Sequence, residues 1–170
     1  MSATLLIDTR QQEGKHTLKH EYFKAHGLRL VRTKLYVGDY MFVGGTVSVD
    51  TKASISELAT NIDQQHERFR QELINARDAG YQLTVLVENA DGVTDLATLS
   101  EWVNPRNAIN RRKGLRPPIS GERMAKACAT MQEKYGVRFE FCRPEESAAR
   151  ILEILTEGDA HDDGTEGSCT

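Results

Sequence analysis

The segment from Gly38 to Lys52 reads Gly-Asp-Tyr-Met-Phe-Val-Gly-Gly-Thr-Val-Ser-Val-Asp-Thr-Lys and carries two carboxylates and a lysine at spacings suited to chemistry. Gly44-Gly45 fits a two-residue turn, because glycine accepts the positive φ such turns need. Counting outward from that turn pairs Phe42 with Val47, Met41 with Ser48, Tyr40 with Val49 and Asp39 with Asp50. Side chains alternate along a strand, so Tyr40, Phe42, Val47 and Val49 share an apolar face. Asp39, Met41, Ser48, Asp50 and Lys52 share the other. Carboxylates facing each other across a ladder repel by ~0.2–1 kcal/mol, so stability gives no reason for this pair. A divalent cation does, since hard oxygens converging on one point suit Mg²⁺ or Mn²⁺. Lys52 beside them can orient a water or offset charge on a phosphate. Asp39, Asp50 and Lys52 are the leading catalytic candidates, the two aspartates as metal ligands.

The plain alternative is an exposed hairpin face that happens to carry these three residues. Asp8 weighs against it. It ends the apolar run Thr4–Asp8, and it adds a third carboxylate if that strand flanks the hairpin. Glu88 ends another apolar run and is either a strand-end acid or a further metal ligand. His16 and His20 stand four apart on an expected helix, but with no third ligand evident they read as a wet helix face. Arg68 and Glu72 fit a surface i,i+4 pair as well as a substrate contact. No glycine-rich phosphate loop is present, which disfavours a nucleotide cofactor, and no serine or cysteine sits in a nucleophile motif.

These side chains need a scaffold, and the pattern supplies one. Strands are expected over Thr4–Asp8, Leu28–Leu35, the two arms of the hairpin, Gln82–Glu88 in the sheet interior, and Val137–Cys142. Helices are expected over Thr17–Ala25 with Gly27 behind it, from about Ile55 with Ser54 or Ser56 as cap, and over Gln64–Ala79. Others are expected over Leu96–Trp102, from Ser120-Gly121 to Tyr135, and over Pro144–Leu155. The stretch Asn104–Gly121, with Pro105, Pro117 and Pro118, reads as loop. Strands mixed with helices and at least one hairpin imply an α/β class with a mixed sheet.

Of the 170 residues, 39% are hydrophobic and 28% charged, as in ordinary globular domains. Residues 1–156 suffice for one domain, and 157–170 form an acidic tail too polar to pack, expected to be disordered. The net charge of −3 conceals an uneven distribution. Setting aside the tail's five acids, Glu157, Asp159, Asp162, Asp163 and Glu166, leaves 22 basic against 20 acidic residues. The strongest bias lies in 104–126, where Arg106, Arg111, Arg112, Lys113, Arg116, Arg123 and Lys126 face Glu122 alone. Such a patch suits nucleic acid, and a solvated surface equally. Neither a signal peptide nor a membrane-spanning run is legible, and Cys128, Cys142 and Cys169 form no CxxC pair. A cytoplasmic, reducing location without membrane partner or zinc is the expectation.

Several of these elements, in order, resemble the nuclease domain of the XPF/MUS structure-specific endonucleases, of the restriction-endonuclease-like superfamily. Asp8-Thr9-Arg10 matches the family's Asp-X-Arg, Gly38-Asp39-Tyr40 its Gly-Asp-Tyr, and Asp50-Thr51-Lys52 its Glu-Arg-Lys. Glu57, Arg68-Phe69, the strand ending in Glu88, Ile119-Ser120-Gly121 and Tyr135-Gly136-Val137 extend the likeness over residues 4–156. Three departures stand out: Asp50 for Glu, Thr51 for Arg, and Glu57 five rather than four residues beyond Lys52. The resemblance implies a three-layer fold with a central mixed β-sheet flanked by helices, in a stand-alone form without the tandem helix-hairpin-helix module. It implies an Mg²⁺- or Mn²⁺-dependent endodeoxyribonuclease acting on branched, flapped or junction DNA in repair or recombination. Asp39, Asp50, Asp8 and Glu88 would hold metal, and Asp8 would join Asp39, Asp50 and Lys52 in catalysis. Arg10, Arg111, Arg112, Lys113 and Arg116 would contact DNA. A homodimer would form through the apolar faces of the helices after Gly121. The alternative of another class is a non-catalytic DNA-binding subunit or scaffold of a nuclease complex.

Overall fold

The computed structural model describes residues 2–162. Six strands form one mixed sheet in the order β2-β1-β3-β4-β5-β6: β1 (Thr4–Asp8), β2 (Arg29–Thr33), β3 (Tyr40–Phe42), β4 (Val47–Lys52), β5 (Gln82–Glu88) and β6 (Arg138–Cys142). β3 runs antiparallel to β1 and to β4, and the remaining neighbours are parallel. Parallel neighbours need crossovers, which helices provide. α1 (Thr17–Ala25) joins β1 to β2, α2 (Ile55–Asp63) and α3 (His66–Asp78) join β4 to β5, and α4 (Leu96–Glu101), α5 (Arg106–Arg112) and α6 (Gly121–Tyr135) join β5 to β6. A 3₁₀ turn at Pro144–Glu146 leads into α7 (Ser147–Asp162).

Each face of the sheet carries its own core, giving three layers. On one face, Leu5, Ile7, Tyr40, Val49 and Leu86 pack under Phe23 of α1 and Ile151, Ile154 and Leu155 of α7. On the other, Leu83, Val85 and Val87 pack under α2, α3, α4 and α6 through Ile55, Leu58, Phe69, Leu73, Leu99 and Met124. β5 lies between β4 and β6, and every residue from Leu83 to Glu88 is buried, as an interior strand covered on both faces requires.

Two expectations change. Residues 106–112 are helical rather than loop. Asn104 Oδ1 accepts the Arg106 N–H at 3.0 Å, Asn110 Nδ2 donates to the Arg116 carbonyl at 2.8 Å, and no residue of α5 is buried. A helix flanked by asparagine side-chain bonds to the neighbouring backbone and burying no residue leaves no hydrophobic period to read. α7 continues to Asp162, past the expected boundary at 156. Residues 163–170 of the expected tail, with Cys169, lie outside the described residues.

Candidate active site

Tyr40 pairs with Val49 as expected, and the ladder ends there: Asp39, one residue before β3, donates its N–H to the Val49 carbonyl at 2.8 Å rather than pairing squarely with Asp50. The turn sits one residue earlier than expected, with Gly45 N–H donating to the Phe42 carbonyl at 3.1 Å and Gly44 at φ 78°. A four-residue connection therefore replaces the two-residue loop, and the count across the strands is unchanged. β1 flanks this hairpin, pairing Ile7 with Tyr40, and the Asp8 N–H donates to the Asp39 carbonyl at 2.9 Å. Asp8, Asp39 and Asp50 thus border one cavity at neighbouring segments of the chain.

Gly38 is what delivers Asp39 there. Its φ is 74°, and a Cβ on it would collide with Ser48 Oγ and reach Val49 O at 3.0 Å. Only glycine meets both conditions without strain. The Asp39 carboxylate is anchored through Oδ2, which accepts from Thr51 N–H at 2.8 Å and Thr51 Oγ1 at 2.7 Å. Thr51, at the position where the resembled triplet carries arginine, therefore holds the carboxylate of Asp39.

Asp50 lies 2.8 Å through Oδ2 from Lys52 Nζ, and both side chains are largely covered, 19% and 10% exposed. Burial pushes the Asp50 carboxyl up to about 6; Lys52 opposes that and Asp39 adds to it. Burial works to lower Lys52, but Asp50 outweighs it and the ammonium is held above its ordinary value. Lys52 Nζ also lies 5.6 Å from the centre of the Phe69 ring, a cation–π contact that suits the charged form.

A cavity of about 210 Å³ opens over Asp39, Asp50 and Lys52, walled by Arg68 and Glu72 of α3 and by Arg10 and Asp8. Arg68 and Glu72 do pair, at 3.4 Å, and they do so on the wall of this cavity. Asp8 is 1% exposed and both its oxygens are engaged: Oδ1 accepts Leu35 N–H at 2.9 Å, and Oδ2 accepts Arg10 Nε at 2.5 Å. It braces the chain that leads to Gly38 and Asp39. Glu88 is on the other face, because β4–β5 pairing puts Val87, not Glu88, beside Lys52. There it ion-pairs with Lys19 and accepts from Ser147 Oγ at 2.7 Å, bordering a separate cavity. The four carboxylates expected from the sequence accordingly do not share one cavity: Asp39, Asp50 and Asp8 border the first, with the oxygens of Asp8 taken, and Glu88 borders the second, which Asp39 also lines.

Glu57 caps α2, accepting the Ala53 N–H at 2.7 Å while its own N–H donates to Ser54 Oγ. His16 and His20, expected on a wet face, are half-buried, and burial lowers both from their ordinary value. Gln11, given no role from the sequence, is buried where two cavities meet, with nothing in its spacing to signal it. Arg106, Arg111, Arg112, Lys113 and Arg116 are exposed on and around α5, and among the described residues none is in an ion pair. Cys128 and Cys142 are free and buried.

Three aspartates and a covered lysine border one cavity over the central strands of a mixed sheet with helices on both faces, an α/β domain. Residues 7–155 match the family model described as ERCC4 domain, and the chain belongs to that family, whose members are generally nucleases. Among solved structures the chain is similar to XPF from Aeropyrum pernix, with a TM-score of 0.62 at 16% identity over 98% of this chain and 66% of that one. It is also similar to XPF from Aeropyrum pernix in complex with DNA, with a TM-score of 0.60 at 17% identity over 98% and 68%. The chain thus spans 66–68% of the length of these structures, and at such identity the likeness shows the fold. Comparison with curated proteins gives no match.

Proposed function

We propose that the chain is a divalent-metal-dependent DNA endonuclease, acting on branched, flapped or junction DNA as a homodimer inside the cell. The observation that carries the reading is the Asp39–Asp50 pair, with Asp50 buried beside a like charge and pushed up to about 6. Lys52 offsets the charge of Asp50 alone, whereas a divalent cation would offset that of both aspartates. Among the described residues no three His, Cys, Asp or Glu come together as a metal cluster. Two carboxylates fit Mg²⁺ or Mn²⁺ nevertheless, because such ions keep several waters and share substrate phosphate oxygens. Asp39 and Asp50 would hold the ion, which supplies charge neutralisation at phosphoryl oxygens and a more acidic water.

The chain's own groups do the rest. Lys52, kept charged by Asp50, donates to a phosphoryl oxygen as negative charge builds there and does not serve as a base. Thr51 fixes the Asp39 carboxylate by two hydrogen bonds, and Asp8 with Arg10 fixes the segment that carries it. Arg10, 59% exposed, and the α5 group Arg111, Arg112, Lys113 and Arg116 supply phosphate contacts. The helix faces first considered for dimerisation are occupied within the domain, by Met124 and Cys128 of α6 and by Ile151 and Leu155 of α7. A dimer would therefore use another surface.

Pure protein incubated with labelled duplex, flap, fork and four-way-junction DNA, with Mg²⁺, Mn²⁺ or EDTA, tests the reading. Metal-dependent cuts that vanish in Asp39→Asn support it. Tight DNA binding without cleavage under any metal would favour a non-catalytic subunit. Light scattering that shows a monomer, free and on DNA, would remove the dimer.

A further inference from the structure

Between the hairpin and α1 lies a second cavity, of about 690 Å³, with Asp39, Arg10 and Gln11 on the walls of both it and the cavity over Asp50. One side of it is the first turn of α1 with Lys15 and His16 before it. That turn offers donors and no acceptor: the cap residue His16 makes no side-chain hydrogen bond to it, and no acidic residue stands in it. The N–H groups of Thr17, Leu18 and Lys19 are the orphan donors of a helix start, at the positive end of its dipole.

Gln11 is the independent observation. It is 9% exposed, no hydrogen bond of good geometry reaches its amide among the described residues, and its polar neighbour is the equally buried Tyr40 hydroxyl, which can take up one of the two amide atoms. A buried amide is seldom left unpaired, and this one sits on the wall between the two cavities. The carboxylates that border the second cavity are engaged by groups on its own walls and behind them: Glu88 by Lys19 and Ser147, Glu57 by the Ala53 N–H, and Asp39 through Oδ2 by Thr51. Lys15, exposed at the mouth, has no carboxylate partner among the described residues.

We propose that this cavity takes the phosphodiester adjacent to the one attacked at Asp39 and Asp50, held by the Thr17–Lys19 N–H groups, Lys15 and the Gln11 amide. Helix starts of this kind bind phosphate through backbone donors and the dipole together. The proposal rests on the nuclease reading for the neighbouring phosphate and deepens it. Gripping two successive phosphates sets the strand in register with Asp50 and Lys52 and makes the substrate a polymer rather than a mononucleotide.

The test has an arm that does not depend on cleavage. In EDTA, amide NMR of the whole chain is followed while inorganic phosphate, and separately a short single-stranded oligodeoxynucleotide, is added. Both should move the Thr17, Leu18 and Lys19 amides and the Gln11 side-chain amide. Lys15→Ala and Gln11→Leu should each weaken the oligonucleotide by about tenfold, the size of one hydrogen bond to a charged group. Lys15→Ala should also flatten log K against log salt by about 0.7. With Mg²⁺, a neutral methylphosphonate at one flanking position should lower kcat/KM for the parent, and lower it by less for Lys15→Ala. If the parent cuts DNA but the α1 amides stay still and both variants bind normally, the subsite is wrong and the nuclease reading stands. If the amides move with DNA and nothing is cut, the subsite stands and the nuclease reading falls. Movement with inorganic phosphate but not with the oligonucleotide would overturn the strand-binding role.

Discussion

Replacing Asp39 by Asn isolates the acid pair with little collateral change. The Asp50–Lys52 ion pair at 2.8 Å stays intact, and the Asn oxygen still accepts from Thr51. Without metal two effects oppose each other. Removing the repulsion between the two carboxylates stabilises by ~0.2–1 kcal/mol. Turning Thr51's charge-assisted bonds into neutral ones costs a similar amount. The metal-free variant should therefore melt within about 1 kcal/mol of the parent. Metal separates them: at a concentration a hundred times Kd a bound ion stabilises the parent by about 2.7 kcal/mol. For a domain of this size that is a rise of roughly 5–10 °C in Tm. Asp39→Asn should lose most of that rise and should cut DNA slower by orders of magnitude, while binding DNA normally in EDTA. Thermal melts with and without Mg²⁺ or Mn²⁺, beside a cleavage assay on the same preparation, decide it. A variant that gains as much from metal as the parent, or that cuts as fast, would refute the assignment.

Asp50 predicts a pH dependence. Its folded value of about 6 lies above the ordinary 3.8, so its contribution to stability is complete below 3.8 and is lost as pH rises through 6. At ~1.4 kcal/mol per pH unit the loss approaches about 3 kcal/mol, read in metal-free urea melts as the difference between parent and Asp50→Asn from pH 4 to 7. Saturating Mg²⁺ should abolish that dependence; a difference flat with pH would mean Asp50 is not held as described. Glu88→Gln, by breaking a covered ion pair with Lys19, should cost about 3 kcal/mol of stability yet keep the metal-induced rise in Tm. Loss of that rise would return Glu88 to the metal site. Gly38→Ala should cost about 1–3 kcal/mol and slow cleavage with it, since Asp39 follows directly; a variant as stable and active as the parent would show the turn to be unimportant. Replacing Arg111, Arg112 and Lys113 with Ala should weaken every DNA substrate alike and lower the salt slope by about 0.9 per lost phosphate contact. An unchanged slope would make α5 a solvated surface.

The strands and most helices were legible because each carries its own local signal. Leu83-Val85-Val87 is a run that only a covered strand explains, Ser54 and Ser120 stand at the caps of α2 and α6, and Gly136 ends α6 at φ 67°. The Tyr40–Val49 register was legible too, since alternation and one turn suffice to count a hairpin, and a shift of the turn by one residue left it alone. α5 was hidden because it buries no residue and so carries no apolar stripe. The sequence could name Asp8 and Glu88 as strand-end acids but not their surroundings. Which face of the sheet Glu88 takes depends on the register of β5 against β4, strands separated by two helices. That Asp8 spends its oxygens on Leu35 and Arg10 depends on how the chain turns after β2. Gln11 is an ordinary polar residue in a turn until the packing of α1 against the sheet buries it between two cavities. Periodicity within one element is a property of the chain, whereas burial and partnership between distant elements come into being only when the layers close.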